Sequence, residues 1–237
     1  MTDTAPATRR VVLYELISLD GFADDPGEGQ WLVDTGTKLG DFLAETIATQ
    51  DAVLLGRRTY EKWAPYWPTA QVQPFADFIN ATPKYVFTSS PLDLDWTQST
   101  PVAEDAAAFV AALKRQPGAD IGIHGSLSLA RALLAAHLVD ELRLVLAPSL
   151  AGGGKRLFGD DGDLQHFELI ESERSGGASS CDTDDVRETS ASMTKRPRPQ
   201  AEGASGGYRR YRSQRRVLRQ RSGGWQPLSR SSPWSIA

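Results

Sequence analysis

Apolar residues recur along the chain in short runs, separated by stretches with helical spacing. Val11 to Ser18 (VVLYELIS) combines β-branched and large apolar residues, the pattern of a buried strand. Leu19-Asp20-Gly21 ends it with an Asp-Gly turn, and Asp24 to Gln30 (DDPGEGQ) reads as a loop. Between Lys38 and Thr49, Leu39, Phe42, Leu43 and Ile47 recur as on one face of a helix. Further strands are expected at Asp51–Gly56, Lys84–Ser89, Ile121–His124 and Glu141–Ala147. Glu104–Arg115, and the segment from Gly125-Ser126 to Leu138, read as helices. Strands alternating with helices pair in parallel and are covered on both faces, so the fold class is α/β, a three-layer αβα arrangement. Its ligand then belongs at the carboxyl ends of the strands, beside helix N-termini.

Composition narrows the function classes. At 237 residues, 40% hydrophobic and 24% charged, the chain is neither a fibre, nor a coiled coil, nor disordered throughout. A lone cysteine, Cys181, rules out a disulfide framework and a cysteine-based zinc site. His124, His137 and His166 lack HExxH spacing and no GxSxG elbow exists, so neither a metal site nor an α/β-hydrolase is expected. No run approaches the roughly 18 apolar residues of a membrane span. The opening MTDTAPATRR has no signal-peptide core, so a cytoplasmic protein with no membrane partner is expected.

Three strand ends carry candidate chemistry. At the first, Asp20-Gly21 is either a carboxylate facing a ligand or simply a tight turn. At the second, Gly56-Arg57-Arg58-Thr59 offers two guanidinium groups and a hydroxyl suited to phosphate, against the alternative of a solvated turn capped by Thr59. At the third, His124-Gly125-Ser126-Leu127-Ser128 offers a permissive glycine and a helix start, or merely an N-cap. This is not GxGxxG, and the later AGGGKR is not a P-loop because its glycine spacing fails.

Taken in order, Ser18-Leu-Asp-Gly-Phe22, Leu55-Gly-Arg-Arg-Thr-Tyr-Glu61, Tyr85-Val-Phe-Thr-Ser-Ser90, Ile123-His-Gly-Ser-Leu-Ser-Leu129, Leu138-Val-Asp-Glu-Leu-Arg-Leu144 and Gly152-Gly-Gly-Lys-Arg-Leu-Phe158 resemble the dihydrofolate reductase-like superfamily. The nearer likeness is to the riboflavin-biosynthesis reductases (RibD C-terminal domain-like proteins). The resemblance implies a mostly parallel dihydrofolate reductase-like sheet over residues 10–172, after a lead of residues 1–9, with NADPH as cofactor. It implies that Gly56, Arg57 and Thr59 hold phosphates, and that Ser89 and Ser90 lie by the adenosine ribose and its 2′-phosphate. Ile123, Gly125, Ser126, Leu127 and Ser128 would form the wall and turn for the pyrophosphate and nicotinamide side. Ser18, Asp20 and Gly21 would line the nicotinamide and substrate end, with Asp20 a candidate catalytic proton source and Trp31, Tyr60 and Trp63 candidate substrate-pocket walls.

The implied reaction is hydride transfer to a C=N or C=O carbon of a small pyrimidine- or pterin-like substrate, as in 5-amino-6-(5-phosphoribosylamino)uracil reductase, and the implied assembly is a homodimer. An NADPH-binding module without turnover is the alternative. Two departures bear on this. Five residues beyond Trp31, where dihydrofolate reductases carry an acid, stands Gly36, which disfavours folate. His124-Gly125 also replaces the paired glycines of typical members.

Charge divides the chain. Met1 to Glu173 holds 13 Lys+Arg against 25 Asp+Glu, whereas Arg174 onward holds 13 against 5. Beyond Arg174 only Val186, Val217, Leu218, Leu228 and Ile236 are Val, Ile, Leu or Phe, too few to offset ordering entropy. Residues 173–237 therefore read as a disordered basic tail, and the closing strand of the sheet as missing. Codons for Gly176–Asp185 shifted by one base could encode an apolar strand, so an out-of-frame tail is one reading. A nucleic-acid-binding tail, with Tyr208, Tyr211 and Trp225 among arginines, is the less favoured one.

Overall fold

The computed structural model describes residues 9–24, 38–93, 95–159, 163–176 and 178–185. The whole of β1 (Val11–Ser18) is buried, and its side chains serve two layers at once. Tyr14 and Leu16 enter one core, Val11, Leu13 and Ile17 the other. The first core is completed by α1 (Lys38–Ala48), α2 (Arg57–Trp63) and α3 (Phe75–Ala81), the second by α4 (Ala106–Leu113) and α5 (Leu127–Ala135). The result is the αβα sandwich that the sequence pattern calls for.

Between the layers lies one eight-stranded sheet. Its other strands are β2 (Gln50–Gly56), β3 (Lys84–Phe87), β4 (Ser99–Val102), β5 (Asp120–His124), β6 (Glu141–Ala147), β7 (Phe167–Ser175) and β8 (Ala178–Asp185). The spatial order is β4-β3-β2-β5-β1-β6-β8-β7. The first six of these pair in parallel, while β8 runs antiparallel to both β6 and β7. The carboxyl ends of β3, β2, β5, β1 and β6 therefore lie side by side along one edge, where the site is built.

One expectation is corrected. The closing strand is present: β8 inserts between β6 and β7, pairing Leu144 with Cys181 and Val145 with Ser180. Its side chains, ASSCDTDD, show no apolar alternation, so the strand rests on backbone hydrogen bonds along both edges. The polar composition has a cost. Asp182 Oδ1 and Thr183 Oγ1 are buried without a hydrogen-bond partner among the described residues. Burial and the nearby Glu141 raise the Asp182 carboxyl to about 6, against the pull of Arg143. Tail residues 186–237 and lead residues 1–8 lie outside the described residues.

Candidate functional site

The second and third turns, 66 to 70 residues apart in sequence, are joined by a chain of hydrogen bonds. The Gly56 amide donates to Ser126 Oγ (2.9 Å), Ser126 Oγ to Thr59 Oγ1 (2.9 Å), and Thr59 Oγ1 to the Gly125 carbonyl (3.0 Å). Both hydroxyls are thereby spent on fixing one turn against the other. Gly125 makes this possible with φ +60, a region that favours glycine.

Ser126 is the N-cap residue of α5, yet its side chain makes no cap bond, because it is turned to Gly56 and Thr59. The amides of the first turn of α5 consequently lack the side-chain acceptor an N-cap normally supplies. They open onto a cavity of about 430 Å³. Gly56 lines it from the end of β2, Arg57, Arg58, Thr59 and Lys62 from α2, Phe87 from β3, and Gly125 through Leu129 from the turn into α5 and its start. Asp24 and Lys155 complete the wall. Arg57 is held by Glu61, whose carboxylate accepts from its Nε at 2.6 Å and raises the guanidinium pKa further. Replacing Ser126 with Ala leaves the Gly56 amide and Thr59 hydroxyl short of a partner. The expected loss is about 1–3 kcal/mol of stability, read from a denaturant midpoint.

Eight residues singled out from sequence meet in this cavity: Gly56, Arg57, Arg58, Thr59, Gly125, Ser126, Leu127 and Ser128. Others lie elsewhere. Ile123 is fully buried in the α4/α5 core. Tyr60 and Trp63 are buried in the opposite core, where Trp63 packs edge-on against Trp67 and Phe75 and backs Gly125. Ser89 is exposed beyond β3, and Ser90 closes a small turn with Thr88. Trp31 lies outside the described residues. Sequence reasoning passed over Lys62, Phe87, Leu129, Asp24 and Lys155. A weak signal existed for Lys62, four residues after Arg58 and so on the same helix face.

The first turn is organised differently. Ser18 Oγ donates to Asp20 Oδ1 (2.6 Å), while the Asp20 carboxylate accepts from the amides of Ala151 (3.0 Å) and Gly152 (2.9 Å). Bonded in this way, above all by Ser18, it is held down to about 2 and is ionised at neutral pH. Asp20 therefore serves here as an acceptor that anchors the loop at Ala151 and Gly152.

Beneath the third turn His124 is buried, which lowers its pKa to about 3 and leaves it neutral. Its Nε2 faces Gln50 Oε1 at 2.8 Å. Among the described residues no group of three or more His, Cys, Asp or Glu is placed to hold a metal ion, and no helix is long and apolar enough to cross a membrane.

A mostly parallel sheet with a cation-lined cavity at its carboxyl edge, beside the start of α5, defines an α/β domain with a candidate site for an anionic ligand. Comparison with known proteins specifies it: residues 9–179 match the RibD C-terminal domain, and the chain belongs to that family. The uncharacterized protein YyaP of Bacillus subtilis is 32% identical over 158 residues, covering 64% of this chain and 81% of that one. A crystal structure of a protein assigned to riboflavin biosynthesis from Shewanella sp. PV-4 superposes with a TM-score of 0.61 at 20% identity, covering 75% of this chain and 99% of the other. Dihydrofolate reductase from Enterococcus faecalis, complexed with NADP(H), superposes at 0.51 with 12% identity, covering 75% and 97%. The fold is thus dihydrofolate reductase-like.

Proposed function

We propose that this protein is an NADPH-dependent reductase acting on a small pyrimidine- or pterin-like substrate. One observation carries the reading. Among the described residues the cavity wall holds Arg57, Arg58, Lys62 and Lys155 against the single carboxylate of Asp24. It does so in a segment where acids outnumber bases 25 to 13. A cavity charged against its own domain selects an anionic ligand. Its cations, and helix-start amides that Ser126 does not cap, suit the phosphates of a dinucleotide, the ligand that family membership also favours.

In this reading Arg57 and Arg58 hold the phosphate of the adenosine ribose, beside Phe87, and the first turn of α5 holds the pyrophosphate. The bound cofactor would supply the hydride. The chain's own contribution is to fix position: the Gly56–Ser126–Thr59–Gly125 bonds lock the phosphate-facing turns, and the buried cores exclude water behind them. Asp20, Ser18 and Gly21 shape the loop at the end of β1. Substrate contacts fall to that end of the sheet, near the segment that contains Trp31, and a homodimer in the cytoplasm is the assembly the family likeness favours.

The test is consumption of NADPH, followed by its absorbance, with candidate pyrimidines and pterins, using cofactor deuterated at the transferred position. Deuterium in the product establishes hydride transfer. Cofactor binding with no turnover on any candidate makes the protein a binding module instead.

A further inference from the structure

The segment Ala151–Lys155 (AGGGK) is too irregular for a P-loop, yet it is tightly held. Leu19 N donates to Ser149 O, Ala23 N to Lys155 O and Leu157 N to Gly21 O, each at 2.9 Å, so the segment runs against the turn that follows β1. Two carboxylates fasten it. Asp20 takes the amides of Ala151 and Gly152, and Asp24 Oδ1 takes the amide of Lys155 at 2.6 Å. The glycines are what let it pass. Gly154 has φ +112, and a Cβ there would collide with Asp24 Oδ1. The two fastenings bring Lys155 to the wall of the phosphate-binding cavity. Among the described residues its ammonium meets no carboxylate.

The sheet order says which phosphate it faces. Strands lie about 4.8 Å apart. The residues expected at the adenosine ribose follow β3 and β2, which are four and three strand steps from β6. The start of α5 follows β5, two steps from β6 or roughly 10 Å. A lysine on the loop after β6 reaches the second distance far more readily than the first. Resting on the dinucleotide reading above, we propose that Lys155 binds the cofactor's pyrophosphate, and that Asp24 is a positioning residue which holds it there.

Pyrophosphate is common to NADPH and NADH, whereas the 2′-phosphate belongs to NADPH alone, so fluorescence titration with both separates the assignments. Lys155→Ala is expected to raise Kd for both by the same factor, about fivefold to tenfold, with an unchanged melting temperature. Arg57→Ala is expected to penalise NADPH more than NADH. Asp24→Ala should reproduce the Lys155→Ala loss and add nothing to it in the double variant. Asp24→Asn, whose side-chain oxygen still accepts the Lys155 amide, should restore binding.

Unchanged affinities in Lys155→Ala overturn the proposal, and so does a loss confined to NADPH. Additive losses in the double variant, or failure of Asp24→Asn to restore binding, overturn the role given to Asp24. Wild-type protein that binds neither dinucleotide overturns the dinucleotide reading itself, and this proposal with it.

Discussion

Gly125→Ala is expected to unfold the protein at a markedly lower temperature and to abolish dinucleotide binding in what stays folded. With φ +60, an alanine at this position pays about 1–2 kcal/mol for left-handed backbone. Its Cβ would also lie 2.8 Å from Trp63 Cζ2. Trp63 cannot yield easily, because it is 4% exposed and wedged edge-on between Trp67 and Phe75. Overpacking of this kind costs typically 1–3 kcal/mol. Together these give a loss of roughly 2–5 kcal/mol, and a fall in Tm of about 4–20 °C for a domain of this size.

The functional loss follows from the same geometry. The Gly125 carbonyl receives the Thr59 hydroxyl, and the turn sets the direction in which α5 presents its first amides. Gly56→Ala is the control. Gly56 has an ordinary φ of −81, and nothing lies nearer than 3.9 Å to a Cβ there, so stability should hardly change. A Gly125→Ala variant melting within a degree or two of the parent would contradict the account of this turn.

The second large effect concerns pH. Glu15 lies in the middle of β1 and, by alternation, shares the face of Leu13 and Ile17 in the α4/α5 core. Burial raises its carboxyl to about 8, opposed only by the Leu16 amide that donates to Oε1, and Oε2 has no hydrogen-bond partner among the described residues. The group is therefore protonated in the folded protein and ionises on unfolding above its ordinary value of 4.5. Its contribution to stability is complete below that pH and is lost progressively as pH rises towards 8.

Glu15→Gln removes the ionisation while keeping the shape. The variant should gain on the order of 3 kcal/mol over wild type between pH 5 and pH 7.5. His124 (lowered) and Asp182 (raised) also titrate in acid, with opposite signs, but they are common to both proteins and cancel in the difference. A difference in Tm that stays flat across that range would show that Glu15 does not carry the effect.

The central strands and their turns were more legible than the sheet's edges. β1, β2, β5 and β6 are buried on both faces and so read as continuous apolar runs. Their glycine and arginine turns meet at one cavity, because such turns are where a parallel sheet leaves amides and cations exposed. β4 was missed because its four residues, STPV, include a proline, which only an edge strand tolerates. β8 was missed because its stability comes from backbone pairing on two sides, and side-chain pattern carries no record of that.

The place of Lys155 on the cavity wall was not legible, for a different reason. Its place depends on Asp20 and Asp24, more than 130 residues away in the chain. Tyr60 and Trp63 were legible as aromatic but not as core, since only the tertiary arrangement shows that α2 turns them inward.

The central claim is that the cavity at the carboxyl edge of the sheet binds NADPH through Arg57, Arg58, Lys155 and the start of α5. Titration of NADPH into the full chain, followed by its fluorescence, tests it most directly. Saturable binding that weakens as salt rises, and that falls at least tenfold in Arg57→Ala, is the predicted result. No saturation, or equal affinity in the wild type and Arg57→Ala, would contradict it.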